Sequence, residues 1–261
     1  MDFYAEKFVV FLLVFIRTIS MFATAPLYGN QAIPGQLKIW AAGFFAFAIF
    51  PLVGAATPAV SLDLGSLVVL GIQEAIVGSA IGFSLGIIFH GVVYAGDIFG
   101  IVMGFSISSV IDRQNGFDVP VIGQFEYIVA IFVFLILNGH LFLIEALKMS
   151  YAAVPVSGLK IDGEAVNTFV HMTGMVFLTA IKVGAPVIVS LFLTDVLMGI
   201  ISRMVPQLNV FFVGMPLKAG IGMITIMASL PFFVFVFGKL LGVFEEDVIQ
   251  MIRLLGPKVV Q

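Results

Sequence analysis

The pentapeptide Gly82-Phe83-Ser84-Leu85-Gly86 fits the G-x-S-x-G pattern of a nucleophile elbow. Such a serine works on a sharp turn between a strand and a helix, with a histidine and an acid to activate it. Here Ser84 lies inside an apolar run with glycines four residues apart, which reads as a helix, and His90, His140 and His171 show no pairing pattern with it. The three histidines also lack metal spacing. There is no H-E-x-x-H and no second ligand three or four residues away on a helix face. The chain has no cysteine, which excludes a thiolate nucleophile, a thiolate metal site and a disulfide. Its net charge of −3 includes no basic block, so the electrostatic footprint of a nucleic-acid binder is missing. The expectation is a protein without catalytic residues, cofactor, metal or nucleic-acid partner.

The residues with polar chemistry to offer are few and set in hydrocarbon. Of 261 residues, 61% are hydrophobic and 10% charged, and 28 are Phe. Soluble domains hold about 45–50% apolar and about 25% charged residues. Arg17, Glu74, Asp97, Lys182 and Asp195 nevertheless interrupt apolar segments. At mid-membrane each would cost roughly 2.5–3.5 kcal/mol on insertion scales. Five such groups imply either an aqueous path or protein neighbours that meet the charges. The densest polar interruption is ISRMVPQLNVFFVGMPLK at 201–218, where Arg203, Gln207, Asn209 and Lys218 are punctuated by Pro206 and Pro216. A polar group in apolar surroundings is unfavourable unless a partner meets it. Asp195 and Arg203 stand eight residues apart, roughly two turns; a structural ion pair, a transport-coupling pair and a contact between subunits all remain open.

Those residues are carried by long apolar segments at about 8–28, 39–57, 66–93, 95–111, 125–148, 165–200 and 210–242. They are too long for strands, and roughly 20 apolar residues suffice to cross a bilayer. The fold class is all-α, an integral membrane protein of long, partly broken helices arranged as hairpins. The N-terminal run is read as a retained helix, since its leading residues are acidic overall and no small-residue cleavage site follows closely. Turn signals at Pro26–Gly35, Pro58–Gly65, 112–120 and 155–164 separate the segments. From Glu245 onward the sequence is amphipathic and charged, and is expected to be exposed on one side of the membrane. Its Arg253 and Lys258 favour a cytoplasmic C-terminus.

Two glycine ladders stand out: Gly78, Gly82 and Gly86, then Gly96, Gly100 and Gly104. Spacing of four places them on one helix face, where another backbone can approach closely. The following stretch, SISSVIDRQNGFDVPVI at 106–122, is rich in small polar residues, and Asn115-Gly116 favours a tight turn. It reads as a surface loop or as a mobile element that occupies a channel.

At DVLMGIISRMVPQLNVFFVGMPLK, residues 195–218, the chain resembles the FliR family of flagellar type III export-gate membrane proteins, which has virulence-secretion counterparts. Arg17 with Pro26, Glu74 before the first ladder, Asp97 with the 106–122 stretch, and NGHLFLIEALKMSYAAVP at 138–155 extend the likeness over nearly the whole chain. The resemblance implies one subunit of a helical, conical pore complex, with several copies of FliP and FliQ. A part at about 1–190 would be FliP-like and a part at about 191–250 FliQ-like, followed by the tail at about 245–261. FlhB and FlhA would lie on the cytoplasmic side of the bacterial inner membrane, with part of the complex above the membrane plane. Unfolded flagellar subunits would be transient cargo, and membrane lipid a further partner.

In this picture the plug and gate comprise Met103, Phe105, Ile107, Arg113, Asn115, Gly116, Phe117 and Pro120, because packed Phe and Met can seal a constriction by excluding water. Subunit contacts fall to Arg17, Glu74, Asp97, Asp195, Arg203, Pro206, Gln207, Asn209 and Lys218. The competing functions are a self-contained secondary transporter, which would need repeats with matching helix breaks, and an intramembrane hydrolase, which would need a coherent catalytic set.

Overall fold

A computed structural model describes residues 2–29, 33–54, 63–105, 121–207 and 209–257. Its elements are α1 (Asp2–Thr24), α2 (Gly35–Gly54), α3 (Leu64–Val102), α4 (Val121–Ile136), α5 (Gly139–Ala153), α6 (Gly163–Met204) and α7 (Val210–Leu254). Among the described residues there is no strand. Among the described residues, five helices are long and apolar enough to cross a membrane, or six if α4 and α5 together count as one span.

Side-chain oxygens set several helix starts. Asp63 Oδ2 accepts from Ser66 N at 3.3 Å ahead of α3, and Asp162 Oδ1 accepts from Ala165 N at 3.0 Å ahead of α6. Each satisfies a backbone N–H that has no intrahelical partner. Asn209 Oδ1, 3.5 Å from Phe212 N, occupies the same place before α7.

Three boundaries differ from the sequence reading. The segment 66–93 and residues 95–102 of the next one form a single 39-residue helix, α3, that runs through Asp97 without a break. The segment 125–148 is divided at residues 137–138, where α4 and α5 meet at a 69° bend. Asn138 adopts φ 60°, a left-handed conformation that Asn tolerates better than most residues. The last apolar run extends through Leu254 as a 45-residue helix. Its amphipathic end is not wholly exposed: Val248, Met251, Ile252 and Leu255 are buried.

The chain divides into two compact units. The first comprises Met1–Ile87, Asn138–Thr173 and Gly242–Gln261; the second comprises Ile88–Leu137 and Gly174–Leu241. In the first, Val14, Met21 and Phe22 of α1 are buried, as are Ile81 and Leu85 of α3 and Leu143 of α5. Phe22 stacks on Tyr28 with centroids 4.2 Å apart and meets Phe45 of α2 edge-on at 5.5 Å. In the second, Phe89 is the hub of an aromatic cluster, edge-on to Tyr127, Phe134 and Phe237 at 5.9, 5.4 and 5.6 Å. Edge-to-face geometry sets the positive ring edge against the negative face of the neighbour.

Candidate functional site

Among the described residues the most heavily bonded polar centre is Arg17, completely buried within α1. Its guanidinium forks onto Glu74 of α3, Nε to Oε2 at 2.5 Å and Nη2 to Oε1 at 3.0 Å. Nη1 donates to Ser150 Oγ at 3.1 Å, and Nη2 also donates to the Val154 carbonyl at 3.0 Å. The Tyr151 ring lies 3.9 Å from the guanidinium carbon, and its hydroxyl donates to the Val14 carbonyl at 3.4 Å. A planar fork matches a carboxylate in this bidentate way, and the ring face adds a favourable cation–π contact. The cluster therefore ties α1, α3, α5 and the turn after α5 to one charge. Arg17 and Glu74, read from the sequence as contacts to other subunits, meet each other within the chain and are both buried there. Low dielectric explains this, because an unpaired charge at that depth would be far less stable than a paired one.

Ser150, Tyr151 and Val154 were not singled out as its partners. The stretch 138–155 contains them, but a sequence does not show that this stretch packs against α1. Glu126 of α4 was also missed. It is 6% exposed, and its Oε2 atom has no hydrogen-bond partner among the described residues. A lone acid five residues into an apolar helix was the available signal.

The glycine ladders serve close approach at three positions, Gly78, Gly82 and Gly96. A Cβ on Gly78 would collide with the Arg17 carbonyl and Ser20 Oγ, and one on Gly82 would collide with Thr24 and the Met21 carbonyl. Both contacts are to α1. Gly86 is buried as well. A Cβ on Gly96 would lie 2.6 Å from Gly123 N of α4, whereas Gly100 has only Ile122 at 4.0 Å. Gly104 does not belong to the helix face: it follows the end of α3 with φ 88°, packed against Met215. The second ladder thus contributes two helical positions and one turn glycine. Asp97 sits at the Gly123 approach, and its Oδ1 atom is buried without a hydrogen-bond partner among the described residues.

Asp195 pairs with Lys218 of α7, not with Arg203. One helix carries both Asp195 and Arg203, and the chain reverses only after Met204, so α7 returns Lys218 to the level of Asp195. The pair borders a cavity of about 420 Å³ lined also by Ile101, Gly104, Met198 and Met215. Arg203, Pro206 and Gln207 are exposed at the turn, and Asn209, also exposed, caps α7. Lys182 is exposed. Met103 belongs to the core of the second unit with Phe99, Ile122 and Leu191, and it presses against Gly222; Phe105 is 45% exposed. Ile107, Arg113, Asn115, Gly116, Phe117 and Pro120 lie outside the described residues.

Ser84 lies within α3, buried, and donates to the Met251 thioether at 3.1 Å. A serine in regular helix bonded to a thioether is not a nucleophile elbow. Among the described residues, no group of three or more His, Asp or Glu could hold a metal ion.

Residues 8–243 match the family described as bacterial export proteins, family 1. The flagellar biosynthetic protein FliR of Bacillus subtilis (strain 168) is 34% identical over 254 residues, covering 96% of this chain and 97% of that protein. FliR of Escherichia coli (strain K12) is 30% identical over 217 residues, 82% of this chain and 81% of its own. The surface presentation of antigens protein SpaR of Shigella sonnei is 30% identical over 215 residues, 79% of each chain. With a match that spans α1 to α7 and helices fit to cross a bilayer, this membrane protein belongs to the bacterial export proteins, family 1, the family of FliR.

Proposed function

We propose that the chain is the FliR-type core subunit of a flagellar type III export gate, with no enzymatic activity of its own. Together with several copies each of FliP and FliQ it forms the pore by which unfolded flagellar subunits cross the bacterial inner membrane. FlhB and FlhA adjoin it on the cytoplasmic side, and part of the complex stands above the membrane plane. Residues 1–190 supply the FliP-like part and residues 191–250 the FliQ-like part. The observation that carries this reading is the 34% identity to a flagellar biosynthetic protein over 96% of the chain.

The surface of α6 supports the need for protein neighbours. Large apolar side chains are exposed from Val166 and Val170 through Phe177 and Phe192 to Met204. At 1.5 Å per residue that stretch is about 57 Å long, against about 30 Å of hydrocarbon. Lipid cannot cover all of it along a helix near the membrane normal, and water is a poor cover for so many large apolar side chains. Neighbouring subunits resolve both problems, and the exposure of Arg203, Pro206 and Gln207 at the turn supports a contact there.

Within this function, residues 107–120, flanked by Met103 and Phe105, obstruct the resting pore and move aside during export. Deleting 107–120 and measuring ion leakage across the membrane tests this. Raised leakage is expected, and a deletion as tight as wild type refutes the plug. The likeness to SpaR favours one second reading, the equivalent subunit of a virulence-type secretion system. Restoring motility to a flagellated strain that lacks its FliR distinguishes the two.

A further inference from the structure

The first unit contains a cavity of about 360 Å³ between the end of α2 and the face of α5. Its apolar wall is formed by Ile49, Leu52 and Val53 of α2, and by Met149 of α5 with Pro155 and Val156 beyond it. This falls within the roughly 300–1,000 Å³ of small-ligand sites, which are mostly apolar with a few placed polar groups. Those groups are Lys148 and Glu145, three residues apart on one face of α5 and both exposed. Neither forms an ion pair among the described residues. Glu145 is close enough to Glu245 for their charges to interact, so a cation beside it would relieve that repulsion.

The depth of the cavity follows from α2. This helix has 20 residues, about 30 Å, and so matches the hydrocarbon thickness. It is mostly exposed, with Phe44 and Phe47 about 70% accessible. Lys38 and the exposed Trp40 stand near its first end, the residue types that anchor a span at the membrane–water interface. Ile49, Leu52 and Val53 therefore approach the opposite interface. There an apolar cavity opens beside one cation and one anion, the arrangement of a lipid whose acyl chain joins a phosphate and an ammonium.

The geometry points to a phospholipid site. One acyl chain enters the cavity, Lys148 Nζ donates to the phosphate, and Glu145 accepts hydrogen bonds from the ammonium of an ethanolamine-type head group. The occupant is a lipid because the charged pair complements a zwitterionic head group and the cavity continues the exposed apolar surface of α2. The assignment does not depend on the export role.

The test is native mass spectrometry of the purified full chain in detergent, titrated with 1-palmitoyl-2-oleoyl phosphatidylethanolamine. The comparison lipid is the diacylglycerol with the same chains. One phosphatidylethanolamine should bind per chain, at least tenfold more tightly than the diacylglycerol. Lys148→Glu should weaken it at least tenfold while Lys148→Arg retains it, and the filling change Ala152→Phe should abolish it. Each variant is compared only if its helicity and elution match wild type, and Leu52→Trp serves as a second filling change. Equal binding of the two lipids, or wild-type binding by Lys148→Glu and by both filling variants, overturns the proposal. The chain has no cysteine, so Ala152→Cys gives a unique cross-linking position in membranes. A cross-link there to a neighbouring protein in place of lipid also overturns it.

Discussion

Removing Glu74 should be among the most damaging single changes this chain can suffer. A guanidinium has five N–H donors. In Arg17 four hydrogen bonds are formed, two of them to Glu74, at 2.5 and 3.0 Å. Glu74→Ala deletes half of these bonds and leaves a positive charge in a side chain with no exposed surface. Breaking a buried ion pair from one side costs about 3–5 kcal/mol, and 1.4 kcal/mol is a factor of ten in an equilibrium. A loss near 4 kcal/mol would shift the folded-to-unfolded ratio by about three orders of magnitude. Replacing both partners, Arg17→Met with Glu74→Leu, removes the charge as well as its partner and should recover most of that loss, since buried pairs often give way to apolar residues of similar volume at little cost. The assay is equilibrium unfolding in mixed micelles, followed by far-ultraviolet circular dichroism, for wild type, both single variants and the double variant. Coupling of about 2 kcal/mol or more between the two sites is expected. If Glu74→Ala costs under about 1 kcal/mol, or if the double variant loses the sum of the single losses, the pair does not hold α1 to α3 as described.

Glu126 should respond in the opposite sense: Glu126→Leu removes an acid whose Oε2 has no partner among the described residues, and it should be neutral or stabilising in the same unfolding measurement. Gly78→Val should destabilise by about 1–3 kcal/mol through overpacking against the Arg17 carbonyl, whereas Gly174→Ala, with open space around it, should change stability by under about 1 kcal/mol. At Gly104, φ 88° makes alanine strained, and Gly104→Ala should cost about 1–3 kcal/mol by thermal unfolding. Lys218→Ala should cost under about 1 kcal/mol in the isolated protein, because the Asp195 side chain is 46% exposed.

Helices, their apolar character and most of their breaks were legible because hydrophobic runs of this length admit few other structures. Two kinds of information were not. The break at Asn138-Gly139 was missed because it has no proline, while Pro51, Pro186, Pro216 and Pro231 all lie inside helices. Proline is tolerated in membrane helices where neighbours satisfy the freed carbonyl, so it is a weaker stop signal there than in soluble chains. Partner identity was missed too. Arg17 and Glu74 were separately recognised as improbable in lipid, but their 57-residue separation gives no cue that they join. Asp195 and Arg203 looked like partners by proximity along the chain, yet a hairpin brings Lys218 closer. Local spacing predicts pairing only while both residues share one helix face, and these two do not settle a pair at eight residues.

The same logic separates polar residues that complete the fold from those left for something outside it. Arg17 and Glu74 are closed within the chain, so their substitution should be felt in the isolated protein and in any assembly alike. Arg203 and Gln207 are exposed at the turn between α6 and α7, where surface substitutions normally change stability by under about 0.5 kcal/mol. Their polar character therefore gains little for the folded monomer, although the neighbouring helix faces are apolar. An exposed arginine set among exposed Met204, Phe211 and Phe212 has the composition of the energetic centre of a protein interface, where aromatic residues, Met and Arg are enriched. Arg203→Ala should therefore leave monomer unfolding within about 0.5 kcal/mol while reducing recovery of the chain in complexes with FliP- and FliQ-like subunits. The reverse pattern, a destabilised monomer with assembly intact, would make Arg203 part of the fold and remove the turn from the contact surface.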